Sequence, residues 1–219
     1  MSTSGTATKT LKAQQSEKTR AALLRAARKM LAERGYADTS LEEVANRAGV
    51  TTGAVYHQYR DKSALFQAVL EQLQTEIFED VRERSRQRVS PTGRNSWNRL
   101  VEAAELLLDS FTDPIVCRIV MIDGPAVLGW KTWHRIRAEH ILSYITETLE
   151  QQMELGQIDR EPAETLAHLL FGALTEAGML IAHAEDRRAA RKEIGAVLLR
   201  MFNRLKLRAT SPRASEFSG

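Results

Sequence analysis

The chain has 219 residues, 43% hydrophobic and 27% charged, with 12 glycines and five prolines. That is enough length to bury a sizeable core, and the composition excludes collagen-like and wholly disordered readings. No apolar run approaches the ~18 residues of a membrane span, the Ser/Thr-rich start lacks the apolar stretch of a secretory signal, and the single Cys117 excludes an intrachain disulfide or a cysteine-rich zinc site. A soluble, cytoplasmic protein is expected, with no membrane partner. The net charge of +3 divides unevenly: residues 1–60 carry ten Lys/Arg against five Asp/Glu, and the remaining 159 carry 21 against 23. Such an asymmetry points to an acidic partner such as nucleic acid for the N-terminal part, provided a DNA-reading element lies there.

Helical periodicity runs through nearly the whole chain, and alternating strand patterns are nearly absent. Residues 1–15 are polar and without periodicity, and read as a disordered basic arm. A first helix is predicted from Ser16 to Arg34, with Leu23, Leu24, Ala27, Met30 and Leu31 on its apolar face and Gly35 as its stop. Ser40 opens a second helix, and Glu43 three residues on completes a capping box. Leu41, Val44, Ala45 and Ala48 form its inner side, and Gly49 ends it. Thr51 caps a very short third helix with Val55 and Tyr59 inside. Asp61 caps a long fourth, patterned by Leu65, Val69, Leu73, Ile77, Phe78 and Val81, that connects the N-terminal unit to the rest.

Pro91, Pro114, Pro125, Pro162 and Pro212 then fall at helix breaks. Between them helices are predicted near 94–111, 114–122, 125–155, 162–184 and 187–207, the third interrupted near Gly129, with a polar disordered tail at 208–219.

The segment LEEVANRAGVTTGAVYHQYR, Leu41 to Arg60, carries the requirements of a helix-turn-helix. Small Ala45 permits close helix approach, Gly49 makes the turn, and Val44, Val50 and Val55 lock the two helices together. Thr52, Gly53, Tyr56 and His57 are left outward, able to bond phosphates or base edges in a major groove.

Gly35-Tyr36, Thr39-Ser40, Val44-Ala45, Ala48-Gly49-Val50-Thr51-Thr52-Gly53, Val55-Tyr56-His57, Tyr59, Lys62 and Leu65 stand in one register, and over about residues 18–66 the chain resembles the TetR family of bacterial regulators. Two positions depart from the family pattern. Gln58 stands where an aromatic residue or His is frequent, and Tyr59 replaces a common Phe. The resemblance implies phosphate contacts from Thr39 and Ser40, base or phosphate contacts from Thr51, Thr52, Gly53, Tyr56 and His57, and a phosphate contact from Lys62. Helix N-termini and a lysine charge suit such contacts independently.

Pro162 to Ala184 is apolar nearly all round, so it must be buried on more than one side. The following stripe of Ile194, Val197, Leu198, Met201 and Phe202 faces Arg191, Lys192, Arg200 and Arg204 on the opposite side. Either a core helix is covered by an amphipathic one, or both build a four-helix dimer interface, as the resemblance implies. The dimer is favoured because a single helix-turn-helix reads too few bases. Its expected residues are Leu166, Leu170, Ala173, Ala177, Ile194, Val197, Leu198 and Met201, with Gly172, Gly178 and Gly195 small enough for close contact.

The large side chains of the middle helices read either as plain core or as an effector pocket, where the resemblance places one. The candidate lining is Phe78, Leu107, Phe111, Met121, Trp130 and Trp133, with His134 and Arg137 as polar anchors. No metal or catalytic constellation competes: Glu164 and His168 make at most half a metal site, Cys117 lies among apolar residues, and no phosphate-binding loop or nucleophile motif occurs. No cofactor is expected.

The expectation is an all-α protein with an N-terminal three-helix helix-turn-helix DNA-binding domain at 16–63 and a larger helical ligand-binding and dimerisation domain at 64–207. It would act as a homodimeric repressor on double-stranded, pseudo-palindromic operator DNA, released by a small, largely apolar or aromatic effector, and not as an enzyme.

Overall fold

A computed structural model describes residues 4–88 and 96–206. In chain order the helices are α1 (Ser4–Arg34), α2 (Leu41–Ala48), α3 (Thr52–Gln58), α4 (Lys62–Arg88), α5 (Ser96–Ser110), α6 (Pro114–Val116), a π-helical segment (Cys117–Asp123), α7 (Gly124–Glu154), α8 (Ala163–His183) and α9 (Arg187–Asn203). Among the described residues the β-type pairing is one isolated bridge between Ile158 and Lys206.

α1 begins at Ser4, twelve residues earlier than the sequence suggests, so residues 4–15 are helix and not a disordered arm. The run Leu11-Lys12-Ala13-Gln14-Gln15 consists of good helix formers, and extending an established helix costs far less than nucleating one. The expected break at Pro91 and the expected tail from Arg208 lie outside the described residues. The remaining elements follow their signals. Ser40 and Glu43 form the reciprocal capping box, and Thr51 accepts the Ala54 N–H. Asp61 accepts the Ala64 N–H at 2.8 Å. Gly129 interrupts α7 with φ +72°.

α1, α2 and α3 pack around Leu23, Met30, Leu31, Val44, Ala45 and Val55, each 2% exposed or less. α4 then runs 27 residues, about 40 Å at ~1.5 Å per residue. Its first turns bury Leu65, Phe66, Val69 and Leu70, continuous with the α1 core. Further on it packs against α5 and α7, with α8 lying on α7 and α9 on α5 and α8. Trp97 Nε1 donates to Asn203 Oδ1 at 3.3 Å, tying the start of α5 to the end of α9.

One expectation about membranes needs correction. α8 has both the length and the mean hydropathy, 1.5 over 18 residues, of a membrane span. Half of that stretch is buried inside the fold, against neighbouring helices. Glu164 and Glu176 break up the apolar letters, which is why a search for uninterrupted apolar runs passes over it.

Two glycines hold the headpiece in shape for different reasons. Gly49 ends α2 at φ +68°, with open space where a Cβ would stand. Gly35 ends α1 at φ +83°, and the Arg118 guanidinium fills the place of its missing Cβ. Gly49→Ala should therefore cost about 1–2 kcal/mol, the conformational penalty alone. Gly35→Ala should cost more, because Arg118 must also move. Urea unfolding midpoints with unchanged slopes will order the pair; equal losses would show that Arg118 yields freely.

Candidate functional site

The headpiece surface is built on α2. Val44, Ala45 and Val55 are fully buried and seat α3 against it. With that side inward, the opposite face of α3 is necessarily outward. Thr51, Gly53, Tyr56 and His57 are exposed and Thr52 is half-buried. Tyr56 has 53% of its surface free. This side forms an open groove running from Ala37–Glu43 across Tyr56 to Arg60, Asp61 and Lys62.

Two expected phosphate contacts change character. Thr39 is 4% exposed and donates its hydroxyl to the Gly35 carbonyl at 2.9 Å. It pins the α1–α2 turn and cannot offer its side chain to DNA. The Ser40 hydroxyl both accepts the Glu43 N–H and donates to the Glu43 carboxylate, so what the start of α2 presents is backbone. Glu43 is held below the usual carboxylate range, first by the Ser40 backbone N–H, then by the Ser40 hydroxyl and Arg34.

Lys62 opens α4 and lines the same groove. Its Nζ donates to the Ala37 carbonyl at 3.1 Å and sits 4.2 Å above the Tyr36 ring centroid. An ammonium has three donors, so it retains capacity for a phosphate. Arg60, whose side chain is 86% exposed beside Asp61, is a second cation on the same groove that sequence reading missed. Its place two residues before Lys62 was the available signal. Arg47 is paired with Glu33 on α1.

In the larger domain the open space lies elsewhere than the large aromatics suggest. A small, partly open and mostly apolar cavity of about 40 Å³ is lined by Gln74, Ile77, Phe78, Val81 and Arg82 of α4, Leu100, Ala103, Ala104 and Leu107 of α5, Ile141, Tyr144 and Ile145 of α7, and Leu174 of α8. Of the expected lining only Phe78 and Leu107 belong to it. Phe111, Met121, Trp133 and Arg137 are 2% exposed or less and packed together. Trp130 is 62% exposed, and half-buried His134 lies tilted against Trp130 and edge-on to Phe171. Bulky side chains fill volume; the hollow opens where Ala103 and Ala104 face α4, and that pair of small residues was the overlooked signal.

The aromatic knot has its own work. Trp133 Nε1 donates to the Val120 carbonyl inside the π-helical segment at 2.6 Å. That segment reaches the headpiece twice: Arg118 Nη2 donates to the Arg34 carbonyl at 3.0 Å, and Asp123 Oδ2 accepts the Tyr36 N–H at 3.0 Å.

The α8–α9 surface divides the expected interface set. Leu170, Ala177 and Leu198 are 7% exposed or less and belong to the protomer's own core. Gly178 is covered by Phe111 and Met121, and Gly195 by Arg191 and Leu108. Leu166, Ala173 and Ile194 lie half-buried at the edge. Val197 and Met201 are exposed, together with Leu169 and Leu180, which the expected set did not contain; these four are 47–67% exposed. On a helix apolar nearly all round, periodicity does not say which side is inside.

Among the described residues no cluster of three or more His, Cys, Asp or Glu could hold a metal. Cys117 is buried and burial raises its thiol above the ordinary value.

Residues 23–69 match the family described as bacterial regulatory proteins, tetR family, and residues 97–205 match the tetracyclin repressor-like C-terminal domain. A crystal structure of a TetR-family transcriptional regulator from Pectobacterium atrosepticum is 32% identical, covers 89% of this chain and 97% of its own, and superposes with a TM-score of 0.76. The Transposon Tn10 TetC protein of Escherichia coli is 25% identical over 150 residues, 68% of this chain and 73% of that protein. The crystal structure of RolR in complex with resorcinol shares the fold at 23% identity and a TM-score of 0.65, covering 86% of this chain and 89% of that one. With both halves matched in order and a relative this similar over nearly its full length, the chain belongs to the TetR family of transcriptional regulators.

Proposed function

We propose that the protein is a cytoplasmic transcriptional repressor that binds a pseudo-palindromic operator as a homodimer and releases it on binding a small, largely apolar or aromatic effector. The observation that carries this reading is α4. Its first residue, Lys62, stands on the DNA-facing groove, and the same rigid helix supplies Gln74, Ile77, Phe78 and Val81 to the cavity wall. One element thus belongs to both sites. The apolar lining supports the effector class, as does the aromatic diol held by RolR. In this reading residues 16–63 bind DNA, and residues 64–207 bind effector and dimerise.

Release needs little energy. A tenfold loss of operator affinity requires about 1.4 kcal/mol of preference for the form with the wrong recognition-helix spacing. The path runs along α4 and through the Arg118 and Asp123 contacts. Asp123 fixes the Tyr36 backbone, and the Tyr36 ring lies beneath Lys62. A shift of the π-helical segment therefore reaches a phosphate-contacting side chain within two contacts.

The experiment that tests the function is a gel shift against the protein's own neighbouring intergenic DNA, repeated with candidate effectors. Sequence-specific retention, reversed by an apolar or aromatic compound, is expected; retention of unrelated DNA with equal affinity would remove the proposal. On the operator so found, Tyr56→Phe/Lys62→Ala should weaken binding to all sequences and lower the salt slope by about one, the share of one lost phosphate contact. Thr52→Ala should instead change preference among operator variants. An unchanged affinity and slope in the folded double variant would take these residues off the interface.

Leu169→Glu/Met201→Glu, placing charges on exposed residues of α8 and α9, should yield monomers by sedimentation with weak operator binding, because a buried unpaired carboxylate is costly. A wild type already monomeric at micromolar concentration contradicts the assembly. Ala104→Phe, which fills the cavity, should retain operator affinity within about threefold and lose release by effector. Undiminished release would put the effector elsewhere.

A further inference from the structure

We infer that the effector is an amphipathic organic anion, an apolar body bearing a carboxylate, and that Arg137 receives that carboxylate. The inference rests on the cavity reading above and narrows the ligand's class.

Arg137 lies on α7, one turn before the cavity-lining Ile141, and is 2% exposed. Its Nη1 donates to Thr175 Oγ1 at 2.9 Å. Its Nε and Nη2 have no hydrogen-bond partner, and among the described residues no carboxylate pairs with it. Around the guanidinium stand the rings of Trp133, Phe111 and Phe171, with centroids at 4.9, 5.6 and 5.6 Å. Ring faces return part of the desolvation cost of a cation but leave its N–H groups unsatisfied. Burial pulls the guanidinium down to about 10, so it remains charged at neutral pH.

For stability alone this is a poor choice, since an apolar side chain of similar volume would serve such a site better. The two idle groups are not scattered. Nε–H and one Nη–H make up the side edge of the guanidinium fork, which matches the two oxygens of a carboxylate. Thr175 occupies the other Nη, holding that edge in one orientation.

The cavity and the guanidinium share three walls. α5 presents Leu107 to the cavity, and Phe111 in the turn just after it faces Arg137; α7 presents Ile141 and carries Arg137 itself; α8 presents Leu174 and, three residues back, Phe171. An apolar body in the cavity is thus directed along these walls towards the cation. Arg137 does not itself line the cavity, whereas Arg82 does, so a carboxylate held by Arg137 must open the packing between the cavity and the guanidinium, and the acid preference must be traced to Arg137 rather than Arg82.

The test uses the full chain and calorimetric titration with 2-naphthoate and 4-phenylbutyrate, each beside its primary amide. At least one acid should bind about tenfold or more tightly than its amide. Arg137→Met should erase that preference and keep amide binding, with a melting temperature unchanged or higher because a buried unpaired charge has gone. Arg137→Lys, which keeps the charge and loses the fork, should also reduce the preference. Equal binding of acid and amide, no binding of either acid, a preference that survives Arg137→Met, or a lowered melting temperature marking a structural guanidinium would each overturn the assignment. Ala104→Phe separates the two levels. If it abolishes amide binding while acid and amide bind the wild type equally, the cavity stands and the anion site falls; if both ligands still bind it, the cavity reading falls first.

Discussion

The geometry of the DNA-reading end depends on how the C-terminus of α1 is terminated. The last carbonyls of a helix lack intrahelical partners and carry the negative end of its dipole. Here the Arg34 carbonyl is met by the Arg118 guanidinium, and the next free N–H, on Tyr36, is met by the Asp123 carboxylate. Both partners come from the larger domain. They can act together because their segment is π-wound: residues five apart share a face, whereas α winding at about 100° per residue would separate them by roughly 140°. Gly35 supplies the left-handed backbone and leaves the space that the guanidinium occupies.

From that junction the roles of the surrounding parts follow. Trp133 satisfies a carbonyl inside the π-wound segment and lies against Arg137, around which Phe111 and Phe171 also pack, so the segment rests on a fully buried cluster. The cavity lies beside this knot, where two alanines of α5 meet α4. In the proposed reading, a ligand entering there would push against the buried cluster on one side and a long helix on the other. Packed cores transmit small displacements instead of absorbing them. Movement would then pass along α4 to Lys62 or through the π-wound segment to Tyr36.

α8 serves both the interior and the outer surface. Ala167, Phe171, Leu174, Gly178 and Ile181 face inward, with Gly178 allowing Phe111 and Met121 to approach closely. Leu169 and Leu180 face outward beside Val197 and Met201 of α9. A helix with these two faces reads as a membrane span by composition, although half of it is buried in the fold. Its outer apolar stripe is what a second copy would cover, and the covered area rather than any single contact would set the dimer's strength.

The headpiece was legible in the sequence because its signals are local. Ser40 with Glu43, Gly49, Thr51 and Asp61 each act within four residues, and the buried set Val44, Ala45 and Val55 follows from helical spacing alone. The helix borders beyond it were readable for the same reason, through Pro114, Pro162 and Gly129. What local spacing does not contain is which side of a uniformly apolar helix faces inward, so Leu170, Ala177 and Leu198 went to the core and Leu169 and Leu180 to the surface. Nor does it say whether large side chains surround a hollow or fill it. Trp133, Phe111 and Met121 were singled out as pocket because they are large, yet a cavity forms where volume is missing, opposite Ala103 and Ala104. Thr39 shows the same division at a single residue: its type suits a phosphate, but the turn at Gly35 brings a carbonyl within 2.9 Å and takes its hydroxyl inward. Short-range hydrogen bonds and periodicity determined the elements and the DNA-reading face; the packing of helices distant in sequence decided where space, charge and exposed apolar surface remain.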